Sequence, residues 1–289
     1  MKGINWIDFE SEISHIIELI DRSEENIYKP FPDRFSYDEK LNLFIEILNY
    51  RKYMPEHKAP TYSDFIKKSY NDLRRMIRCI EIYLCTIEKE QEIYNLSPDI
   101  IEIAKKLYAV LCFNYTHTFT KKYHTNNAVD VHFIHGEIND DDNVESNNMV
   151  LGINEYYSMH DKNKHTNYNI YKKFTQRIIN ETGFLYRNWI YNMNNVTHAG
   201  KTYMALEDYG DDFYHNVYIF GHSLDITDKD IIKEFIDRKD VRTIIYYHDK
   251  QQQAQQIANL VKMLGQENFI SKINSVPQQI CFRRQKEMG

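Results

Sequence analysis

The chain has 289 residues, 42% hydrophobic and 27% charged, with nine glycines, six prolines and a formal net charge of −6. That length allows one large or two modest domains with a real core, and the acidic balance argues against a general nucleic-acid binder. No run approaches the ~18 uncharged apolar residues of a membrane span, and Cys79, Cys85, Cys112 and Cys281 are too scattered for a disulfide framework or a zinc knuckle; a reduced, cytoplasmic protein is expected. Trp6, Phe9, Ile13, Ile16, Ile17 and Ile20 recur at three- and four-residue steps, which predicts an amphipathic helix over residues 6–20. Asp8 and Glu10, this early, do not fit a signal peptide. Pro30 and Pro32 interrupt the pattern; Ser36 then offers a cap, and Leu41, Phe44, Ile45 and Leu48 repeat the spacing. A third helix is predicted from Ser63 to Gln91, with Phe65, Tyr70, Leu73, Ile77, Ile80, Leu84 and Ile87 inward. Its Arg74, Arg75 and Arg78 read as a solvated face.

The texture changes at Ser97. Ser97-Pro98-Asp99 is a helix start, with the helix running to about Leu107. Strands are predicted at residues 109–113, 129–134, 149–153, 217–220, 241–247 and 279–282. Helices are predicted at residues 168–193, 228–236 and 251–264. Strands alternating with helices mean βαβ units and a parallel sheet covered on both faces. The predicted fold is therefore α/β, a Rossmann-like parallel sheet flanked by helices. Residues 1–96 are read as a helical segment capping the sheet or inserted beside it, and residues 97–289 as the Rossmann-like α/β domain.

In parallel α/β sheets, ligands sit beyond the C-terminal strand ends. Three such ends carry polar residues: Phe113-Asn-Tyr-Thr-His-Thr118, His135-Gly136, and Gly221-His-Ser-Leu-Asp225. A glycine directly after a buried strand lets backbone approach a ligand, and N–H groups at the next helix start suit a phosphate. Taken singly, each is ordinary: an Asn after a strand is usually a turn residue, and a His before Gly a structural histidine. The hydrolase elbow Gly-x-Ser-x-Gly is absent, because Asp225 stands at the second glycine. His132 and His135 are three apart in a strand and point to opposite faces, so no metal site is expected.

In this order, FNYTHT (113–118), IHGEIN (134–139), MVLGINEYY (149–157) and YIFGHSLDITDKDI (218–231) resemble the AbiH abortive-infection family of bacterial phage defence. They resemble more distantly the sirtuin-like NAD-binding domains. Trp6, Asp8, Phe9 and Glu10 are similar to an early helix of the AbiH family, and the resemblance runs from Trp6 to Asp230. It implies Asn114 and His135 as catalytic residues. It also implies Asn114, Thr116, Gly136, Gly221, Ser223, Leu224 and Asp225 as the cradle of a dinucleotide, with NAD as substrate. Asn114, His135 and Ser223 are expected to converge on one cleft.

The implied chemistry is cleavage of the nicotinamide–ribose bond of NAD through an oxocarbenium-like transition state, with His135 as general base and Asn114 orienting water or ribose. Such proteins open with a strand and a glycine-rich turn, and here Gly3 is the early glycine. A truncated or naturally short form is therefore expected, with a gap or exposed edge in the sheet and weak NAD hydrolysis by this chain alone. A non-catalytic nucleotide-binding or interaction module, using the same pocket, is the alternative. A phage-derived or protein trigger and oligomerisation fit either reading. An RNA-directed toxin would use the 23 tyrosines as stacking platforms, but the acidic charge disfavours it.

Overall fold

A computed structural model describes residues 13–15, 17, 62–90, 96–123, 129–141, 146–153, 166–203 and 215–287. Residues 13–15 and 17 are helical; the rest of the helices expected over residues 6–20 and 41–48 lies outside the described residues. The described chain is mixed α/β, its strands pair parallel throughout, and it divides into two compact units. Met1–Thr86 with His135–Thr182 form the first, and Ile87–Ile134 with Gly183–Gly289 the second. Among the described residues no helix is long and apolar enough to cross a membrane.

The first unit is built on helix α1 (Tyr62–Glu90), which belongs to it as far as Thr86. Among the described residues Ile66, Leu73 and Ile77 are its buried apolar positions; Leu73 and Ile77 lie on the face that the sequence period predicts, and Ile66, two turns before Leu73, joins them. The hydroxyl of Tyr171 donates to the Ile66 carbonyl at 3.0 Å, and its ring meets Tyr70 edge-on. Burial pushes the Tyr171 phenol up to about 12. Glu81 stands on the same helix, fully buried. Its carboxylate accepts from Arg78 Nη1 at 2.6 Å, from the Asn139 N–H at 3.0 Å and from the Asn147 side-chain amide.

Met149–Ile153 is not the strand that its composition predicts. Its one bridge joins Ile153 to Lys172. A side chain replaces the neighbouring strand: Gln176 accepts from the Leu151 N–H at 3.0 Å and donates to the Leu151 carbonyl at 3.2 Å. The Asn180 amide takes the Met149 carbonyl. Buried apolar residues read as strand whether their backbone partners are main chain or amide side chains, so periodicity alone does not separate the two. The long helix expected over residues 168–193 is likewise divided. A 3₁₀ turn (Thr166–Tyr171), α4 (Lys173–Ile179) and α5 (Leu185–Tyr203) follow one another, and the break falls where Glu181 (φ 52°) and Gly183 (φ 73°) turn left-handed.

The second unit holds all five described strands in two parallel sheets. In the first sheet β1 (Ala109–Cys112) pairs with β2 (Asp130–Phe133), Ala109 opposite Asp130. In the other, β3 (His215–Ile219), β4 (Val241–Tyr247) and β5 (Ile280–Arg284) run in that order. His215 lies opposite Val241 and Thr243 opposite Ile280. Helix α2 (Pro98–Ala104) precedes β1 and α3 (Thr118–Lys122) precedes β2. Helix α6 (Lys229–Ile236) joins β3 to β4, while α7 (Lys250–Leu264) and α8 (Gln266–Asn274) join β4 to β5. Ser97 precedes α2 in the extended conformation of a cap, but its hydroxyl makes no capping bond, and the helix stops at Ala104 rather than Leu107.

Two apolar clusters hold these sheets. One gathers Ile245, Leu260, Met263, Ile280 and Leu224 with Ile232 and Ile236 of α6. The other gathers Ile134, Tyr186 and Trp189 with Ile231 of α6. Helix α6 thus faces both, through residues one position apart. The ring of Phe113, the first residue after β1, also packs against both.

Candidate functional site at the strand ends of the second unit

Phe113 and His222 bring two of the three expected strand-end segments together. Their rings meet edge-to-face with centroids 4.4 Å apart, so the loop after β1 lies against the loop after β3. On the first loop Asn114 is exposed, and its carbonyl accepts from the Cys112 thiol. Thr116 is half-buried, its hydroxyl 3.0 Å from that of Thr118.

The second loop is anchored from beneath. Gln256 of α7 donates to the carbonyls of His222 (3.0 Å) and Tyr246 (3.3 Å), and Asn259 donates to the carbonyl of Ser223 (3.0 Å). Both amides are buried. A peptide N–H points opposite its carbonyl, so turning the His222 carbonyl inward turns the Ser223 N–H outward. Leu224 is fully buried in the first cluster, at φ 59°, a conformation costly for a residue with a Cβ. Its N–H donates to Nδ1 of His222 at 2.8 Å, and Nε2 of the same ring faces Asp228 at 3.5 Å. A ring that accepts at Nδ1 and faces a carboxylate at Nε2 is the neutral Nε2–H tautomer. Asp225 caps the following 3₁₀ turn by accepting from the Thr227 N–H at 3.0 Å.

Gly221 opens this loop at φ +65°, exposed, and nothing lies within 4 Å of where its Cβ would be. Beside it Phe220 stacks on Tyr246, centroids 4.0 Å apart. The two loops together present open backbone, an outward N–H, the Ser223 hydroxyl and the Asn114 amide, which are hydrogen-bonding groups able to meet an oxygen-rich ligand.

His135 and Gly136 belong to the first unit. His135 is buried at 4% exposure, and its carbonyl accepts from the Val150 N–H at 2.7 Å. Gly136 has φ +75°, and a Cβ there would land on the backbone carbonyl of Asn148. Asn148 also accepts from the Glu137 N–H. The glycine at this position serves a close backbone approach within its own unit.

The described residues add a cluster that the motif reading passed over. Glu88, in the last turn of α1 and inside the second unit, accepts from the backbone N–H and ring Nδ1 (3.2 Å) of His117 and from Lys121 Nζ (2.7 Å). Burial pushes the Glu88 carboxyl up, but the bonds from Lys121 and His117 together outweigh it and hold it below the ordinary value of 4.5. A carboxyl whose pKa is lower folded than unfolded adds stability above the unfolded value and loses it as pH falls through the folded one. Glu88→Gln is therefore expected to destabilise the chain at neutral pH. The gap from wild type should close as pH drops below 4.5, as read by urea unfolding across an acid pH series. A gap that widens on acidification would refute this account of the cluster.

His222 lay inside the quoted motif, yet its part in the loop depends on Leu224 and Asp228 and is not visible from spacing. Gln256 and Asn259 carried a weak signal, being amides three apart on one helix face.

The family model described as bacteriophage abortive infection AbiH matches residues 2–248, and the chain belongs to that family. Phage abortive infection is the function that membership suggests. The loop anchors Gln256 and Asn259 lie beyond the matched stretch. No curated relative and no solved structure matches the chain.

Proposed function

We propose that this member of the AbiH family is an abortive-infection effector that binds NAD across the two joined loops of the second unit and cleaves its nicotinamide–ribose bond. The observation that supports the reading is the Phe113–His222 contact, which joins the loop that carries the exposed Asn114 to the loop that carries the open, positive-φ Gly221 and the exposed Ser223. Pyrophosphate needs outward N–H groups and unobstructed backbone, and the nicotinamide ribose needs a donor and acceptor such as the Asn114 amide. Cleavage develops positive charge on the ribose, as in glycoside hydrolysis, while nicotinamide leaves as a neutral base.

One observation favours the second reading, a nucleotide-binding module without chemistry. His135 is 4% exposed, and Gly136 is walled by Asn148, so neither presents an open surface in its own unit.

NAD binding and nicotinamide release by the purified chain separate the two. The expected result is saturable binding with slow release of nicotinamide. Gly221→Val, which fills the open space, should weaken binding by about tenfold, a change of ~1.4 kcal/mol. Binding that Gly221→Val lowers, without any nicotinamide released, would leave the binding module. Binding untouched by both Gly221→Val and Asn114→Ala would remove the site altogether.

A further inference from the structure

We propose that His222 is a proton-sensitive latch on the Gly221–Asp225 loop: the neutral ring holds the loop in its binding shape, and the charged ring releases it. The latch is a property of the loop itself, while its effect on NAD rests on the reading above.

Two peptide groups set the shape of this loop, His222–Ser223 and Ser223–Leu224. Their carbonyls are tied to α7, the first to Gln256 and the second to Asn259, each at 3.0 Å. Both donors are uncharged amides, so these ties do not titrate. The Leu224 N–H is tied differently, to Nδ1 of the His222 ring at 2.8 Å. A side chain that accepts from the N–H two residues on is what Asn and Asp provide in an Asx turn. Here the acceptor belongs to a ring that can take a proton.

A backbone N–H only donates, so Nδ1 must offer its lone pair. The imidazolium carries a hydrogen on each nitrogen, and two hydrogens cannot share the 2.8 Å between Nδ1 and the Leu224 nitrogen. Charging the ring therefore breaks this bond. Asp228 works in the opposite sense: its carboxylate lies 3.5 Å from Nε2 and holds the ring more strongly once the ring is charged. Proton uptake thus exchanges a tie to the loop for a tie to the start of α6. Leu224 sits at φ 59°, unfavourable for a residue with a Cβ, and the broken bond is one of the restraints that keep it there. The Ser223–Leu224 peptide is left with its carbonyl tie alone, beside the residue whose hydroxyl and N–H the proposed ligand uses.

The surroundings of the ring suit this task. Among the described residues Asp228 is the charged group set against it. The loop after β1 meets it with the Phe113 ring, and the Gln256 amide of α7 bonds to its backbone carbonyl. The side chain keeps 14% exposure, so protons exchange with water. Histidine is the side chain that ordinarily changes charge between about pH 5 and 8. A ligand that needs the latched loop binds more weakly as pH falls, and by reciprocity its binding opposes proton uptake.

The test uses the full ¹⁵N-labelled chain between about pH 8 and 5. It follows the charge state of the His222 ring, the nitrogen–nitrogen coupling transmitted through the Leu224-to-Nδ1 hydrogen bond, and NAD affinity. Ring charging and loss of the coupling are expected to coincide. His222→Asn keeps an acceptor for the Leu224 N–H but takes no proton. Wild-type NAD affinity should therefore fall with acid about fivefold more than that of His222→Asn, the worth of one hydrogen bond. The slope is the readout, because the Phe113 contact is lost with the ring. His222→Ala, which has no acceptor, should bind about fivefold more weakly than His222→Asn at every pH. A ring that charges while the coupling persists, or that stays neutral down to about pH 5, overturns the latch. So does an acid loss of affinity that His222→Asn shares to within about twofold, against the fivefold expected. A wild-type chain that binds no NAD overturns the proposed function, and the ring and coupling signals still decide the latch.

Discussion

Replacing Glu81 by leucine is expected to lower the unfolding free energy of the chain by about 3–5 kcal/mol, the cost of removing one partner from a buried ion pair. Leucine fills most of the volume, so the loss is electrostatic rather than a cavity. The carboxylate is fully buried, and three groups converge on it: the Arg78 guanidinium, the Asn139 N–H and the Asn147 amide. Arg78 keeps its bond to the Asp141 carbonyl but loses the carboxylate that offsets its charge. The double variant Arg78→Met, Glu81→Leu should recover part of the loss, because the guanidinium is removed together with the carboxylate that it pairs with; the Asn147 amide would still lack its acceptor. Urea unfolding monitored by circular dichroism decides the matter. A loss below about 1 kcal/mol, the level typical of an exposed pair, would mean that Glu81 is solvated in solution.

The second expected result sets two glycines of similar φ against each other. Gly136→Ala should destabilise by about 2–5 kcal/mol, since left-handed backbone costs a residue with a Cβ ~1–2 kcal/mol and overpacking adds ~1–3. The methyl would land on the Asn148 carbonyl, and the backbone there is held by the Val150-to-His135 and Glu137-to-Asn148 bonds. Gly221→Ala meets open space, so only the backbone term of ~1–2 kcal/mol applies. Equal unfolding midpoints for the two variants would refute the packing difference.

The sequence made some of this legible and hid the rest for identifiable reasons. Strands β1 to β5 were legible because buried parallel strands are short, continuous apolar runs, and helices α6 and α7 carried strong periodicity, while the five-residue α3 is too short to show any. Helix α8 was hidden, because Gly265 at φ 83° reads as a stop while the chain resumes helix one residue later. Met149–Ile153 was misread because Gln176 and Asn180 stand where a strand would. Glu81 is in hindsight legible: it falls four residues after Ile77 on an apolar stripe, and an acidic residue there must be satisfied within the fold. Of the candidate site, Asn114 and the Gly221 loop follow from strand-end logic. The Glu88–His117 pair does not, since it joins residues 29 apart through a contact that no local pattern encodes.

The two sheets of the second unit share no ladder hydrogen bond among the described residues; α6 and the Phe113 ring couple them. Ladder bonds are directional and resist shear, whereas an aromatic contact is shallow and lets its partners slide. Each loop is therefore mounted on a stiff support, while the spacing between the loops is compliant. The ligand proposed to reach from Asn114 to Ser223 would act as a strut across an elastic joint, and the work of fitting it would go into moving two rigid plates rather than into breaking either.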